Sequence, residues 1–225
     1  MSFDPPLGPL LDRLHARSAA QGEEIAAFFA ARARENTLDW REFDARTERF
    51  MSDKLVALDR DKALLCYQLC RALRARRVVE AGTSHGVSTL YLAAAVRDNV
   101  REDGGTGIVI GTEHEPAKAE IARAHFAEGG LSELIDLREG DLRQTLKDVG
   151  GPVDFMLMDI WTPMARPALE RVAPSLRPGA IVVADNTTTF REAYRDYFDF
   201  VNDPANRLCT STLPFEGGLE LTVRL

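Results

Sequence analysis

Two hydrophobic periods divide this chain. Up to residue 75, apolar side chains recur at helical spacing. Leu7, Leu10, Leu11 and Leu14 follow Asp4-Pro5-Pro6, a helix start; Ile25, Phe28 and Phe29 form a second stripe, and Trp40, Phe43 and Phe50 a third. A fourth helix is predicted over 59–75, with Leu65, Cys66, Leu69 and Leu73 on its buried side. From Arg77 onward the period changes, and short apolar runs alternate with amphipathic stretches. Strands are predicted at 78–81, 108–112, 135–138, 153–158 and 180–184. Helices are predicted at 88–97, 116–128, through Leu169 and Val172, and over the Phe- and Tyr-rich 190–201, with 97–107 as a polar loop. Two closing strands, 207–213 and 219–225, flank Pro214-Phe-Glu-Gly-Gly218 and read as a hairpin.

Alternating strands and helices imply a parallel sheet covered on both faces, to which the hairpin adds an antiparallel strand. The expected fold is α/β: a Rossmann-like, doubly wound, seven-stranded sheet with an N-terminal helical extension. Residues 1–58 are expected to form that extension or lid, and 59–225 the main domain.

Ligands of open α/β sheets bind outside the carboxyl ends of the strands. There the first strand runs into Glu80-Ala-Gly82-Thr83-Ser84-His85-Gly86-Val-Ser88, a glycine-rich turn that opens a helix. Such a turn brings backbone N–H groups and a helix N-terminus toward a ligand. Its spacing is E-x-G-x-x-x-G, and Ser84 stands where the G-x-G of a nicotinamide fold needs glycine. The second strand ends in Glu113-His114, the third is followed by Gly140-Asp141-Leu142, the fourth ends in Asp159-Ile-Trp161-Thr162, and the fifth in Asp185-Asn186. Five successive strand ends deliver an acid or its amide to one sheet edge. Such a row suits a ligand with a cationic amino-acid end, a ribose diol and an adenine. A carboxylate at the second strand's end can accept two ribose hydrogen bonds, which makes Glu113 the candidate. Asp141 can accept from an adenine amino group, with the Leu142 N–H available to a ring nitrogen. Glu80 and Ser88 lie near the loop. Asp159, Asp185 and Asn186 offer three oxygen donors at the ends of neighbouring strands, and such donors suit Mg²⁺, Mn²⁺ or Ca²⁺ rather than zinc. Helix capping by Asp185 and Asn186 is the competing account of the last pair.

From about Met51 to Leu225 the chain resembles the catechol and caffeoyl-CoA type of O-methyltransferase, among the class I S-adenosylmethionine-dependent methyltransferases. The segments that carry the resemblance are Val79-Glu-Ala-Gly-Thr-Ser-His-Gly-Val-Ser-Thr-Leu90, Gly111-Thr-Glu-His-Glu-Pro116, Gly140-Asp-Leu142, Met158-Asp-Ile-Trp161, Ala184-Asp-Asn186 and Gly217-Gly-Leu-Glu-Leu221. The resemblance implies S-adenosylmethionine held by Glu80, Gly82, Thr83, Ser84, Gly86, Ser88, Glu113, His114, Asp141, Leu142 and Asp159. It implies a divalent cation, Mg²⁺ or its Mn²⁺ or Ca²⁺ substitutes, on Asp159, Asp185 and Asn186. It also implies an acceptor pocket at Trp161, Thr162 and Met51, and a homodimer. The acceptor expected is a small aromatic hydroxyl compound.

One position departs from that pattern. The family's general-base lysine follows the strand-four Asp and Trp, and Thr162 stands there, with no lysine anywhere after Lys147. Either a metal on Asp159 alone acidifies the acceptor, or another group such as His85 in the cofactor loop takes the proton, or the reaction is not catechol methylation, and Asp159 and His85 are the catalytic candidates. A metal-independent methyltransferase and a non-catalytic cofactor-binding protein are the competing readings.

Composition narrows the partners. A net charge of −7 and a pI near 5.2 argue against a nucleic-acid surface. No apolar run approaches the roughly 20 residues of a membrane span. Met1-Ser-Phe-Asp-Pro-Pro6 lacks the basic-then-apolar pattern of a signal peptide. Cys66, Cys70 and Cys209 form no disulfide framework. A cytoplasmic protein acting on a small molecule is expected.

Overall fold

The computed structural model describes residues 3–42 and 44–225. Met1 and Ser2 lie outside the described residues, and so does Phe43 of the third apolar stripe.

The strand runs pair into one seven-stranded sheet of order β3-β2-β1-β4-β5-β7-β6. Its members are β1 (Arg77–Ala81), β2 (Ile108–Glu113), β3 (Ile135–Glu139), β4 (Val153–Met158), β5 (Leu176–Asp185), β6 (Leu208–Leu213) and β7 (Leu219–Arg224). The first five are parallel, while β7 runs antiparallel to both β5 and β6. Period-two alternation sends neighbouring side chains to opposite cores. Val78, Val109, Phe155 and Val183 face one core. Val79, Ile110, Met156 and Val182 face the other.

The first core is covered by α1 (Leu7–Ala20), α4 (Arg60–Ala72), α5 (Val87–Asp103) and part of α6 (Pro116–Glu128). The second is covered by α7 (Leu142–Thr145), α8 (Thr162–Val172) and α9 (Arg195–Asn202). The remaining helices, α2 (Gly22–Arg34) and α3 (Ala45–Met51), lie over the carboxyl edge of the sheet, where Phe29 and Met51 line a cleft. Trp40 sits in a turn between them, so the third apolar stripe is not a single helix.

Four local expectations are corrected. The helix after β1 continues to Asp103, through the stretch expected to be loop from 97. Its polar residues stay helical because α4 answers them: Tyr67 donates to Asp98 (2.9 Å), Arg71 pairs with Glu102, and buried Asn99 donates to the Cys70 and Ala75 carbonyls at 3.0 Å. The same packing buries every residue of α5 from Val87 to Val96, as expected of a helix apolar on all sides. In α4 the deepest residues are Lys62, Ala63, Cys66, Tyr67 and Cys70, while Leu65, Leu69 and Leu73 are only partly buried. The helix expected over 190–201 begins only at Arg195. Residues before it form turns, held where the Gly217 carbonyl accepts from the Thr188 and Thr189 N–H and the buried Tyr194 hydroxyl donates to the Asp185 carbonyl. Finally, β5 starts at Leu176 and carries the exposed Pro178-Gly179 pair, beside a register shift against β4.

Candidate active site

The strand order reverses at β1, which has β2 on one side and β4 on the other. A crevice opens at such a switch point, because the chain leaves neighbouring strands in opposite directions. Here it is a cleft of about 650 Å³. One part is lined by Gly82–His85, Glu113, His114 and Asp141–Arg143, and the other by Asp159–Thr162, Asn186, Phe190 and the helical lead-in. Its size lies within the usual range of small-molecule sites, about 300–1,000 Å³.

The glycine loop owes its glycines to the chain's own packing. Gly82 adopts φ +94, and a Cβ there would lie 2.1 Å from the Asp159 carbonyl oxygen. A Cβ on Gly86 would strike the Phe126 ring at 2.4 Å. The close approach expected toward a ligand is thus first an approach between the ends of β1 and β4. The loop is pinned from below by Glu80, which is fully buried and absent from the cleft wall. Its carboxylate accepts from the hydroxyls of Thr83 (2.8 Å), Ser88 (2.7 Å) and Thr89 (2.5 Å). Burial pushes the Glu80 carboxyl up, and those three hydroxyl bonds act against the shift.

Glu113 lies on the cleft wall and accepts the Ser84 N–H at 2.7 Å and the Glu115 N–H at 2.8 Å. It therefore ties β2 to the glycine loop while lining the cleft. Asp141 caps α7 by accepting the Arg143 N–H, and the Arg143 guanidinium lies against it at 2.6 Å. That contact holds Asp141 low, at about 2. Arg143 was not foreseen as a site residue. His114 is exposed on the cleft rim.

His85 lines the cleft yet is 2 % exposed, and its Nε2 has no hydrogen-bond partner among the described residues. Burial, and then the charges of Lys118 and Arg17, press its pKa down to about 4. The other end of the cleft holds Asp159, whose backbone N–H bonds to the Ala81 carbonyl at 3.1 Å. No hydrogen bond reaches its carboxylate among the described residues, and burial, with the charges of Asp185 and Glu80, pushes it up to about 8. The acceptor wall is aromatic. Trp40 lies 4.2 Å from Phe190 and 6.2 Å from Trp161 between ring centroids, with the two indoles within 22° of parallel. Thr162, the first residue of α8, donates its hydroxyl to the Trp40 carbonyl and so straps the helical lead-in to the start of that helix. Met51, Trp161 and Thr162 all line this part of the cleft.

Two of the three expected metal donors are already engaged with each other and with a lysine. Asp185 is 5 % exposed, and its Oδ1 accepts from the Lys62 ammonium and the Asn186 N–H, each at 2.8 Å. Its Oδ2 accepts the Asn186 side-chain amide at 3.2 Å, while Asn186 Oδ1 sits against Gly217. This donor set, as arranged, does not fit a dication: one carboxylate is already neutralised and the amide oxygen faces elsewhere. Lys62 is the residue the sequence reading missed. Its signal is the spacing Lys62, Cys66, Cys70, which puts a lysine on the buried face of α4.

Comparison with known proteins adds an independent line. Residues 79–187 match the family model described as Methyltransferase domain. The chain is 30% identical over 132 residues to the catechol O-methyltransferase of Mycobacterium tuberculosis, covering 58% of this chain and 57% of that protein. It is 30% identical over 126 residues to the catechol O-methyltransferase of Niastella koreensis, covering 54% and 52%. It thus spans about half the length of the curated relatives it matches. Among solved structures, the O-methyltransferase TomG of Streptomyces achromogenes, in complex with SAM, superposes with a TM-score of 0.66 at 24% identity. That likeness covers 80% of this chain and 86% of TomG and is one of fold. Residues 79–187 are thus similar to a methyltransferase domain, and the chain shares its fold with a solved O-methyltransferase.

Proposed function

We propose that the protein is an S-adenosylmethionine-dependent O-methyltransferase for a small aromatic hydroxyl acceptor, working in the cytoplasm as a homodimer. The observation that carries the proposal is the two-part cleft, with Glu113 and Asp141 at one end and Trp40, Trp161 and Phe190 around Asp159 at the other. S-adenosylmethionine, when bound, supplies the methyl group. Glu113 holds its ribose hydroxyls, and Asp141 with the Leu142 N–H holds the adenine edge. Glu80 acts through the loop, keeping Thr83, Ser88 and the intervening backbone in place. Trp40, Trp161 and Phe190 offer the acceptor ring one aromatic wall of the cleft. Asp159 would hold the acceptor hydroxyl's proton at its carboxylate, while the bound cofactor would give up its methyl group from the sulfonium and leave as the thioether.

The test is methyl transfer from labelled S-adenosylmethionine to a panel of phenols and vicinal diols, in parallel with EDTA and with Mg²⁺. Transfer to aromatic hydroxyls upholds the proposal, and transfer only to nitrogen or carbon acceptors overturns it. A metal-assisted route through Asp159, Asp185 and Asn186 is the alternative, and turnover that EDTA removes would favour it.

Glu113→Ala is expected to weaken S-adenosylmethionine binding by about 1.5–3 kcal/mol for each hydrogen bond lost. Isothermal calorimetry reads this directly. An unchanged affinity would remove Glu113 from the ribose site.

A further inference from the structure

We propose that Lys62 is the resident cation of this active site, its ammonium standing where a divalent metal would have to bind. Lys62 comes from the first turn of α4, far in sequence from the strand ends, and is 2 % exposed. Its Nζ lies 2.8 Å from Asp185 Oδ1 and 2.9 Å from Asp59 Oδ2. An ammonium this deep is tolerable only when paired, and here two carboxylates pair it. Held between two carboxylates, Lys62 serves as a fixed positive charge.

The consequence for a metal follows from charge and valence. Asp185 Oδ1 already takes two donors, and a dication on Asp185 would sit next to a fixed positive charge of the same protein. Lys62 is thus a positioning residue. It orders the β5 end, with Asp185 and Asn186, and supplies the positive charge that the oxygen donors would otherwise draw from solution. The lysine missing at Thr162 is not replaced as a base; a different lysine has replaced the metal.

The catalytic consequence rests on the methyl-transfer reading, but the test does not need an acceptor. The whole protein is titrated with Mn²⁺ and the signal of the free ion is followed by electron paramagnetic resonance. Wild type is expected to leave Mn²⁺ free. Lys62→Met, which removes the charge and keeps the length, is expected to take up one Mn²⁺ per chain. The expected gain in affinity is on the order of 10–100-fold, the range that contacts behind a metal ligand control. Asp159→Asn in the Lys62→Met background should abolish the uptake, and Lys62→Arg should continue to exclude the ion. A one-to-one uptake by wild type that Asp159→Asn removes would overturn the proposal, as would Lys62→Met binding no better than wild type. If Lys62→Met does not fold, wild type decides, with uptake refuting the proposal and exclusion upholding it. Absence of methyl transfer to every acceptor would count against the proposed function alone, since Mn²⁺ uptake is read independently.

Discussion

Asp159→Asn is expected to lower kcat by about 10²–10⁴-fold, the range that a positioned general base contributes, while S-adenosylmethionine affinity stays close to that of wild type. Asp159 lines the cleft beside Trp161, and its carboxylate has no hydrogen-bond donor among the described residues. Burial, then Asp185 and Glu80, raise it to about 8, so the base form grows in as pH rises through that value. In wild type kcat/KM should climb from pH 6.5 and level off above about 8.5, and the limb should vanish in the variant. Stability should move the other way. The folded pKa lies above the unfolded one, so the group's favourable contribution is complete below about pH 4 and is lost as pH rises toward 8. Asp159→Asn, which cannot ionise, should therefore melt higher than wild type at pH 9. Stopped-assay kinetics with calorimetry and a pair of melting curves check all three statements. Unchanged turnover would remove Asp159 from the chemistry.

Gly82→Ala is expected to destabilise the fold by about 2–5 kcal/mol, combining left-handed backbone strain with overpacking. The added carbon would meet the Asp159 carbonyl oxygen at 2.1 Å and its carbon at 2.9 Å. Neither neighbour is the loose end of a side chain. Both chains are held by the β1–β4 pairing and by the Asp159 N–H bond to Ala81. Gly22→Ala is the control: it sits at the start of α2 with nothing within 4 Å of its Cβ position. It should be neutral or stabilising by up to ~1 kcal/mol. Urea unfolding compares the two midpoints. Equal midpoints would show that the β1 and β4 ends can separate without cost, and the close approach would then be dispensable.

Much of the fold was legible in the pattern because it depends on local period. The strand positions, the exact span of Pro116–Glu128 and the closing hairpin follow from alternation, proline and glycine placement. The errors share one cause. The polar end of α5 read as loop because its charges, taken alone, favour solvent; only α4 supplies their partners. The stretch before α9 read as helix because its aromatics are amphipathic in sequence. Tyr194 instead spends its hydroxyl on the Asp185 carbonyl and leaves the chain in turns.

The site divides in the same way. Which residues are carried toward the cleft edge was determined by the sequence, since the carboxyl end of a parallel strand lies there, although Glu80 and Asp185 turn away from the cleft itself. Glu113, Asp141, Asp159 and Trp161 all arrive where the strand rule puts them. What each of them contacts was decided by the tertiary structure. Glu80 turns inward to three hydroxyls, Thr162 straps down Trp40, and Asp185 meets a lysine 123 positions away in sequence. Spacing along a chain records where a side chain is carried, whereas charge pairing depends on distances between elements, and those exist only once α4 has packed against the sheet.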